Sequence, residues 1–289
     1  MKRLSIVFVW VFLFGFSANA QLLWKITGAD IKKPSYLFVT HNFIPISYLD
    51  SIPNLFKLYG NCDVVACEMA LNNVDDMTRI QRAAIMPDRT TIADLLNLED
   101  FTMVDNELKT ITPMGLTEFA RLHPALILTL YQTELFKKTT GFMEGTQSDS
   151  YFQLIAVQQN KKVFGLETAE QQISVLLGNK PLEQQAKLLA DAVLQKDSII
   201  VDMRKETKMY KSGDIETLSN LLKQREQVRY LSIEEYEQQL KQRNILWTAQ
   251  LAEIINAAPC FITVSAQHLP NRFGLINLLR EKGYSVKGM

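Results

Sequence analysis

The chain has 289 residues and sets 31 basic side chains against 31 acidic ones. No basic surplus points to nucleic acid, and no acidic tail points to a solvating segment. Its 3 cysteines, Cys62, Cys67 and Cys260, are an odd number without thiolate–metal spacing, which argues against a disulfide framework and a structural zinc site.

Lys2 and Arg3, the apolar run Leu4 to Phe16 and the small residues Ser17-Ala18-Asn19-Ala20 have the layout of a secretory signal peptide over residues 1–20. The apolar run is shorter than the roughly 20 residues of a spanning helix. No cysteine flanks the cleavage site, and no later segment has the length and apolarity to span a membrane. Residues 21–289 are therefore expected to be exported, to the periplasm or the extracellular space, as one domain. Export permits disulfides. Cys62 and Cys67 point to opposite faces of one strand; Cys67 with Cys260 on adjacent strands stays open, with buried free thiols as the simpler state.

In chain order, Leu22 to Ile26 reads as a first strand and Ser35 to Thr40 as a second, ending at His41-Asn42. Ser47 to Tyr59 carries apolar residues at helical spacing. Asp63 to Cys67 is a third strand, ending at Glu68. From Val74 to Ile111 the pattern is helical but broken, with Thr91 as a helix cap. A further helix is expected from Met114 to Phe136, a loop from Lys137 to Ser148, and a helix from Asp149 to Gln159. Lys162 to Leu166 is a fourth strand, ending at Glu167. Helices follow over Ala169 to Gly178, Pro181 to Tyr210, Ile215 to Gln227 and Ile233 to Ala257. Phe261 to Val264 is a fifth strand, leading to His268. A helix from Gly274 to Lys282 and a strand from Tyr284 to Val286 close the chain. Strands followed by helices argue an α/β core, and the excess of helix over about 75–148 reads as a helical insertion or cap. Each half offers a strand ending in Glu and one ending near His, a hint of duplication.

Ligands in α/β folds bind at the carboxyl ends of strands. Glu68, Glu167, His268 and either His41 or Asn42 would converge there. Carboxylates plus imidazole suit a divalent cation that activates water, and Arg243 would stabilise an oxyanion or bind a carboxylate. The plainer alternative is that Glu68 and Glu167 cap helices or hydrogen-bond turns and His268 packs against Pro270. Asp149 reads equally as a helix cap or a site residue, His123 as part of a helix-start turn, and Trp24 and Trp247 as core. Nucleophile-elbow, phosphate-loop and dinucleotide motifs are absent from the sequence.

Several stretches, in order, resemble the TraB/GumN family, which includes the Tiki proteins: Leu23-Trp24-Lys25-Ile26, Pro34-Ser35-Tyr36-Leu37-Phe38, Glu68-Met69, Asp149-Ser150-Tyr151-Phe152, Gly165-Leu166-Glu167-Thr168, Gly213-Asp214, Arg243-Asn244 with Trp247, and His268-Leu269-Pro270. The resemblance implies an α/β fold with a mixed-sheet core of two related halves. It also implies metal-dependent peptidase chemistry, with Glu68, Glu167, Arg243 and His268 in the catalytic places. The metal set would be Glu68, Glu167 and His268 with His41 or Asn42, and the ion Mn, Co, Zn or Fe. Both hallmark Gly-x-x-His motifs are altered: Val39 replaces a glycine, Asn42 stands in the first histidine slot with His41 one place early, and Ser265 and Gln267 replace the glycines before His268. Two functions are expected from this: an exported metal-dependent hydrolase of peptidase type, or a catalytically inactive member that binds a peptide or small-molecule ligand.

Overall fold

The computed structural model describes residues 21–28, 31–41, 44–140, 148–226 and 232–289. The expected signal segment 1–20 and Asn42 lie outside them. Six strands form one mixed sheet: β1 (Leu23–Thr27), β2 (Ser35–Thr40), β3 (Val64–Cys67), β4 (Lys162–Gly165), β5 (Cys260–Ser265) and β6 (Ser285–Gly288). Their order is β4-β3-β5-β2-β1-β6. β4, β3, β5 and β2 run parallel, and β1 runs against both β2 and β6. Four carboxyl ends therefore meet at one edge. β2 and β3 are buried throughout, and β5 is buried as far as Val264. That burial is why these strands read as unbroken apolar runs.

The helices are α1 (Ile46–Leu49), α2 (Leu55–Gly60), α3 (Val74–Ala83), α4 (Ile92–Leu95), α5 (Leu98–Ile111), α6 (Pro124–Thr140), α7 (Ser148–Gln158), α8 (Ala169–Leu177), α9 (Leu182–Leu194), α10 (Lys196–Ser212), α11 (Ile215–Glu226), α12 (Ile233–Ala257) and α13 (Leu275–Glu281). α7 lays Phe152 against Phe38 and Phe261, with ring centroids 5.4 Å and 4.9 Å apart. A second apolar cluster joins Ile92, Val104, Leu108, Ile127, Leu128 and Tyr131 to Leu189 and Val193 of α9. The helical lobe thus draws on a segment beyond β4 as well as on the expected 75–148 stretch.

Three helical expectations are corrected. The Ser47–Tyr59 segment is two helices, divided at Asn54, whose φ of 62° is left-handed. The helix expected from Met114 begins only at Pro124. Residues before it are held as turns by Leu116 N–H on Asp105 Oδ1 and Met86 N–H on the Arg121 carbonyl, and proline is well suited to a first helical position. The Pro181–Tyr210 segment divides at Gln195. His123 does precede a helix start, and Thr91 does cap α4 with a capping box. Register pairs Val64 with Cys260, which displaces Cys67 from it, and all 3 cysteines are buried free thiols.

Candidate functional site

The ladder carries the strand ends into the site. Beyond β3 and β4, Leu166 N–H donates to the Cys67 carbonyl and Glu167 N–H to that of Glu68. Both glutamates are thereby set side by side. Arg243 of α12 lies across them, with Nε on Glu167 Oε1 and Nη2 3.2 Å from Glu68 Oε2. Arg243 and Trp247 share a helix face at i,i+4 spacing. The guanidinium lies 4.9 Å from the indole, and the His268 ring stacks on the same indole at 4.2 Å.

His268 ends a 3-10 turn after β5 and is fully buried. Its Nδ1 is 2.6 Å from Asn244 Oδ1. Asn244 Nδ2 donates to the carbonyls of Phe273, at 2.8 Å, and His268, at 3.4 Å. A flipped amide would set its oxygen against two carbonyl oxygens, so Oδ1 must be the acceptor. His268 therefore carries its proton on Nδ1. Nε2 is a bare lone pair without a hydrogen-bond partner, 3.8 Å from Glu68 Oε1. Glu68 Oε1 itself accepts the Ser265 N–H at 3.2 Å.

Asp149, in the first turn of α7, belongs to this edge. Its Oδ1 accepts from Thr263 Oγ1 at 2.6 Å, and its Oδ2 from Gln153 Nε2 at 3.0 Å. Gln153 also clamps the loop after β3 through the Met69 carbonyl and the Leu71 N–H. Burial pushes the Asp149 carboxyl above the usual carboxylate range, against the pull of these two donors. Burial raises Glu68 to about 7; Arg243 pulls it down, while Glu167 and Asp149 push it further up.

His41 takes a different course. Its backbone N–H and carbonyl both meet Ser148 Oγ at 3.3 Å, and its Nε2 lies 3.8 Å from Glu206 Oε2. Glu206, on α10, pairs with Arg225 of α11 at 2.6 Å. Tyr210 packs its ring 5.3 Å from His41 and donates its hydroxyl to the Val39 carbonyl. Burial, with Arg225 adding to it, lowers the His41 imidazole to about 3, so it is neutral.

A cleft of about 370 Å³ opens over the edge, lined by His41, Glu68, Asp149, Arg225, Arg243 and Gln267 together with Met69, Leu71, Leu176 and Leu222. Of the sequence-selected residues, Glu68, Glu167, Arg243 and His268 meet in one contact network. His41 lines the same cleft but faces the helical lobe. The plainer alternative holds in part: Glu68 does accept a backbone N–H at the end of β5, from Ser265, but Thr168 rather than Glu167 caps α8, and His268 packs on Trp247. Asn244 was visible only as part of a family-like stretch, and Glu206, Arg225 and Thr263 left no local signal.

Among the described residues, which leave out Asn42, the expected metal set is not gathered. Glu167 is engaged by Arg243, and His41 faces Glu206. Among the described residues, no three His, Cys, Asp or Glu side chains gather as ligands would. Glu68 Oε1 and His268 Nε2 remain, and metal bonds of about 2.1 Å across their 3.8 Å gap would meet at about 130°, off both tetrahedral and octahedral geometry. Val39 is fully buried core in an extended strand, so a side chain is accommodated where the family keeps glycine.

Among the described residues, no helix is long and apolar enough to cross a membrane. No curated protein and no solved structure matches the chain. The sequence profile of the TraB/PrgY/gumN family does match, over residues 22–288, and with the α/β fold and mixed sheet in place, the chain belongs to that family.

Proposed function

We propose that this is an exported family member whose cleft binds a peptide or small-molecule ligand without metal-dependent hydrolysis. One observation carries the reading: of the expected metal donors, Glu167 is engaged by Arg243, and the His41 ring is turned toward Glu206 of the helical lobe instead of toward the others. What remains is a recess with apolar walls and a polar floor, the general form of a ligand site.

A second reading, a metal-dependent hydrolase of peptidase type, is favoured by one feature. His268 presents a bare Nε2 toward Glu68 Oε1, and an acceptor on the other ring nitrogen, as Asn244 is here, is what a metal-ligating imidazole uses to fix its tautomer. Elemental analysis of residues 21–289, after exposure to Mn, Co, Zn and Fe, separates the two. The His268→Ala protein is measured beside it. The binding reading expects no stoichiometric metal in either protein. Near-stoichiometric metal that vanishes in His268→Ala would overturn it and establish the hydrolase reading, with peptide cleavage as the next assay.

A further inference from the structure

Among the described residues, the charges around the cleft do not balance. Arg225 is matched by Glu206, and the single Arg243 is shared by Glu167 and Glu68. Among the described residues, Asp149 has two neutral donors, Thr263 and Gln153, and no cation, and four carboxyl groups face two guanidiniums. Independently of that count, His268 is fully buried and its Nε2 is an acceptor without a donor, aimed at Glu68 Oε1. Glu68 and Asp149, which line the cleft, and His268, buried behind Glu68, are thus short of donors and of positive charge among the described residues.

We infer that this floor binds a primary ammonium group carried on an apolar body. This inference rests on the ligand-binding reading and names the ligand's chemistry. An ammonium has three N–H donors and no acceptor, which matches an imidazole lone pair and two carboxylates with lone pairs to spare. Its bonds to oxygen and nitrogen acceptors run at about 2.7–3.0 Å, longer than metal bonds, so acceptors 3.8 Å apart can share one nitrogen. The walls supply the rest. Leu71 and Ser150 line both the cleft and an adjoining apolar groove with Leu154, Val157 and Val163. Leu154 and Val157 are about half exposed there, at 51% and 49%. A chain bearing an amine would place its charge on Glu68 and Asp149 and its carbon skeleton along Leu71 toward that groove. A cation desolvated against paired carboxylates gains charge-assisted hydrogen bonds, stronger than neutral ones. A carboxylate ligand would meet uncompensated like charge.

Trp247 touches both His268 and Arg243 and reports on the site. With Trp24→Phe as background, the Trp247 fluorescence of residues 21–289 is titrated with n-hexylamine and leucyl-leucine amide. The neutral counterparts n-hexanol and N-acetyl-leucyl-leucine amide, and hexanoate, are titrated in parallel. One or both amines should bind saturably, at least tenfold tighter than their neutral counterparts and than hexanoate. Preference for the dipeptide identifies a peptide amino terminus as the source, and preference for hexylamine an aliphatic amine. Asp149→Asn and Glu68→Gln, each checked for native circular dichroism, should weaken amine binding at least tenfold while leaving hexanol unchanged. Equal binding of amine and neutral probe overturns the ammonium inference and leaves the ligand-binding reading standing. No saturable response to either amine also overturns it. Stoichiometric metal lost with His268 instead overturns the reading on which it rests.

Discussion

The two histidines at the ends of β5 and β2 begin alike and finish differently. Each follows a buried strand, each is buried, and each has its imidazole pulled toward the neutral form. His268 is stacked on Trp247, locked by Asn244 and turned toward Glu68, which lines the cleft. His41 is gripped through its backbone by Ser148 and turned toward the Glu206–Arg225 pair of the helical lobe. The difference teaches that a histidine at a strand end does not make a site. The helix packed over that end decides where the ring points and what it meets. α12 brings Asn244 to His268 as a partner that fixes a bare lone pair. α10 and α11 bring His41 a carboxylate already paired.

The largest way to break the first arrangement is Trp247→Ala. The side chain is buried to 1% exposure, and truncating a buried Trp costs about 3–5 kcal/mol. Urea unfolding should show that loss, and the same change frees the His268 ring from its stack. A loss under about 1 kcal/mol would mean that the Trp247 contact does not hold this edge together. On the other side, Arg225→Met takes from the Glu206 carboxylate, 2% exposed, the guanidinium 2.6 Å away. Removing one member of such a pair costs about 3 kcal/mol. The double variant Glu206→Leu/Arg225→Met should recover most of it, as a double-mutant cycle will reveal. Additive losses would show that the two side chains do not act as a pair.

Asn244→Ala is a smaller change with a sharper readout. It strips the Phe273 carbonyl and His268 Nδ1 of their partner, at about 1–3 kcal/mol. Nitrogen-15 NMR of the imidazoles should move His268 from a single Nδ1–H tautomer to a mixture while His41 stays put. An unchanged His268 tautomer would remove Asn244 from the account of the site.

Much of the edge was legible because strands leave local signals. The apolar runs ending at Glu68, Glu167 and His268 mark the parallel strands, and parallel strands bring such ends together whatever the loops between them do. Arg243 was legible only through its sequence neighbours. Asp149 stayed undecided because a first-turn carboxylate looks the same whether it caps its own helix or accepts from Thr263, 114 positions away. The direction of His41 was not legible at all: Glu206 and Tyr210 reach it from α10, and a helix face gives its period but not its neighbour. The early start predicted for α6 failed for a related reason. Apolar residues such as Leu116 and Phe119 pack on the helical cluster from turns, satisfying the periodicity without a helix.

The mildest test compares the two histidines through pH. Both imidazoles have folded-state pKa values below their ordinary 6.5, to about 3 for His41, and His123 is lowered too. Their contribution to stability is present above about pH 6.5 and is lost as the pH falls and the unfolded chain takes up protons that the folded one refuses. Glu68 works the other way. Raised from 4.5 to about 7, it contributes stability below 4.5 and loses it as the pH rises through 7, and Asp149 has the same sign. His268 and His123 act with His41, and Asp149 acts with Glu68. Between pH 6 and 5, His41 takes up about one proton on unfolding and Glu68 gives up about one, each worth about 1.4 kcal/mol per pH unit of slope. His41→Gln should therefore lessen the fall of stability with falling pH by about that amount, read from urea midpoints. Glu68→Gln should steepen it by a similar amount, by removing a proton that only the folded protein holds. A slope unmoved by His41→Gln would show that its imidazole protonates within the folded chain, and the ring would then have to face Glu206 as a cation.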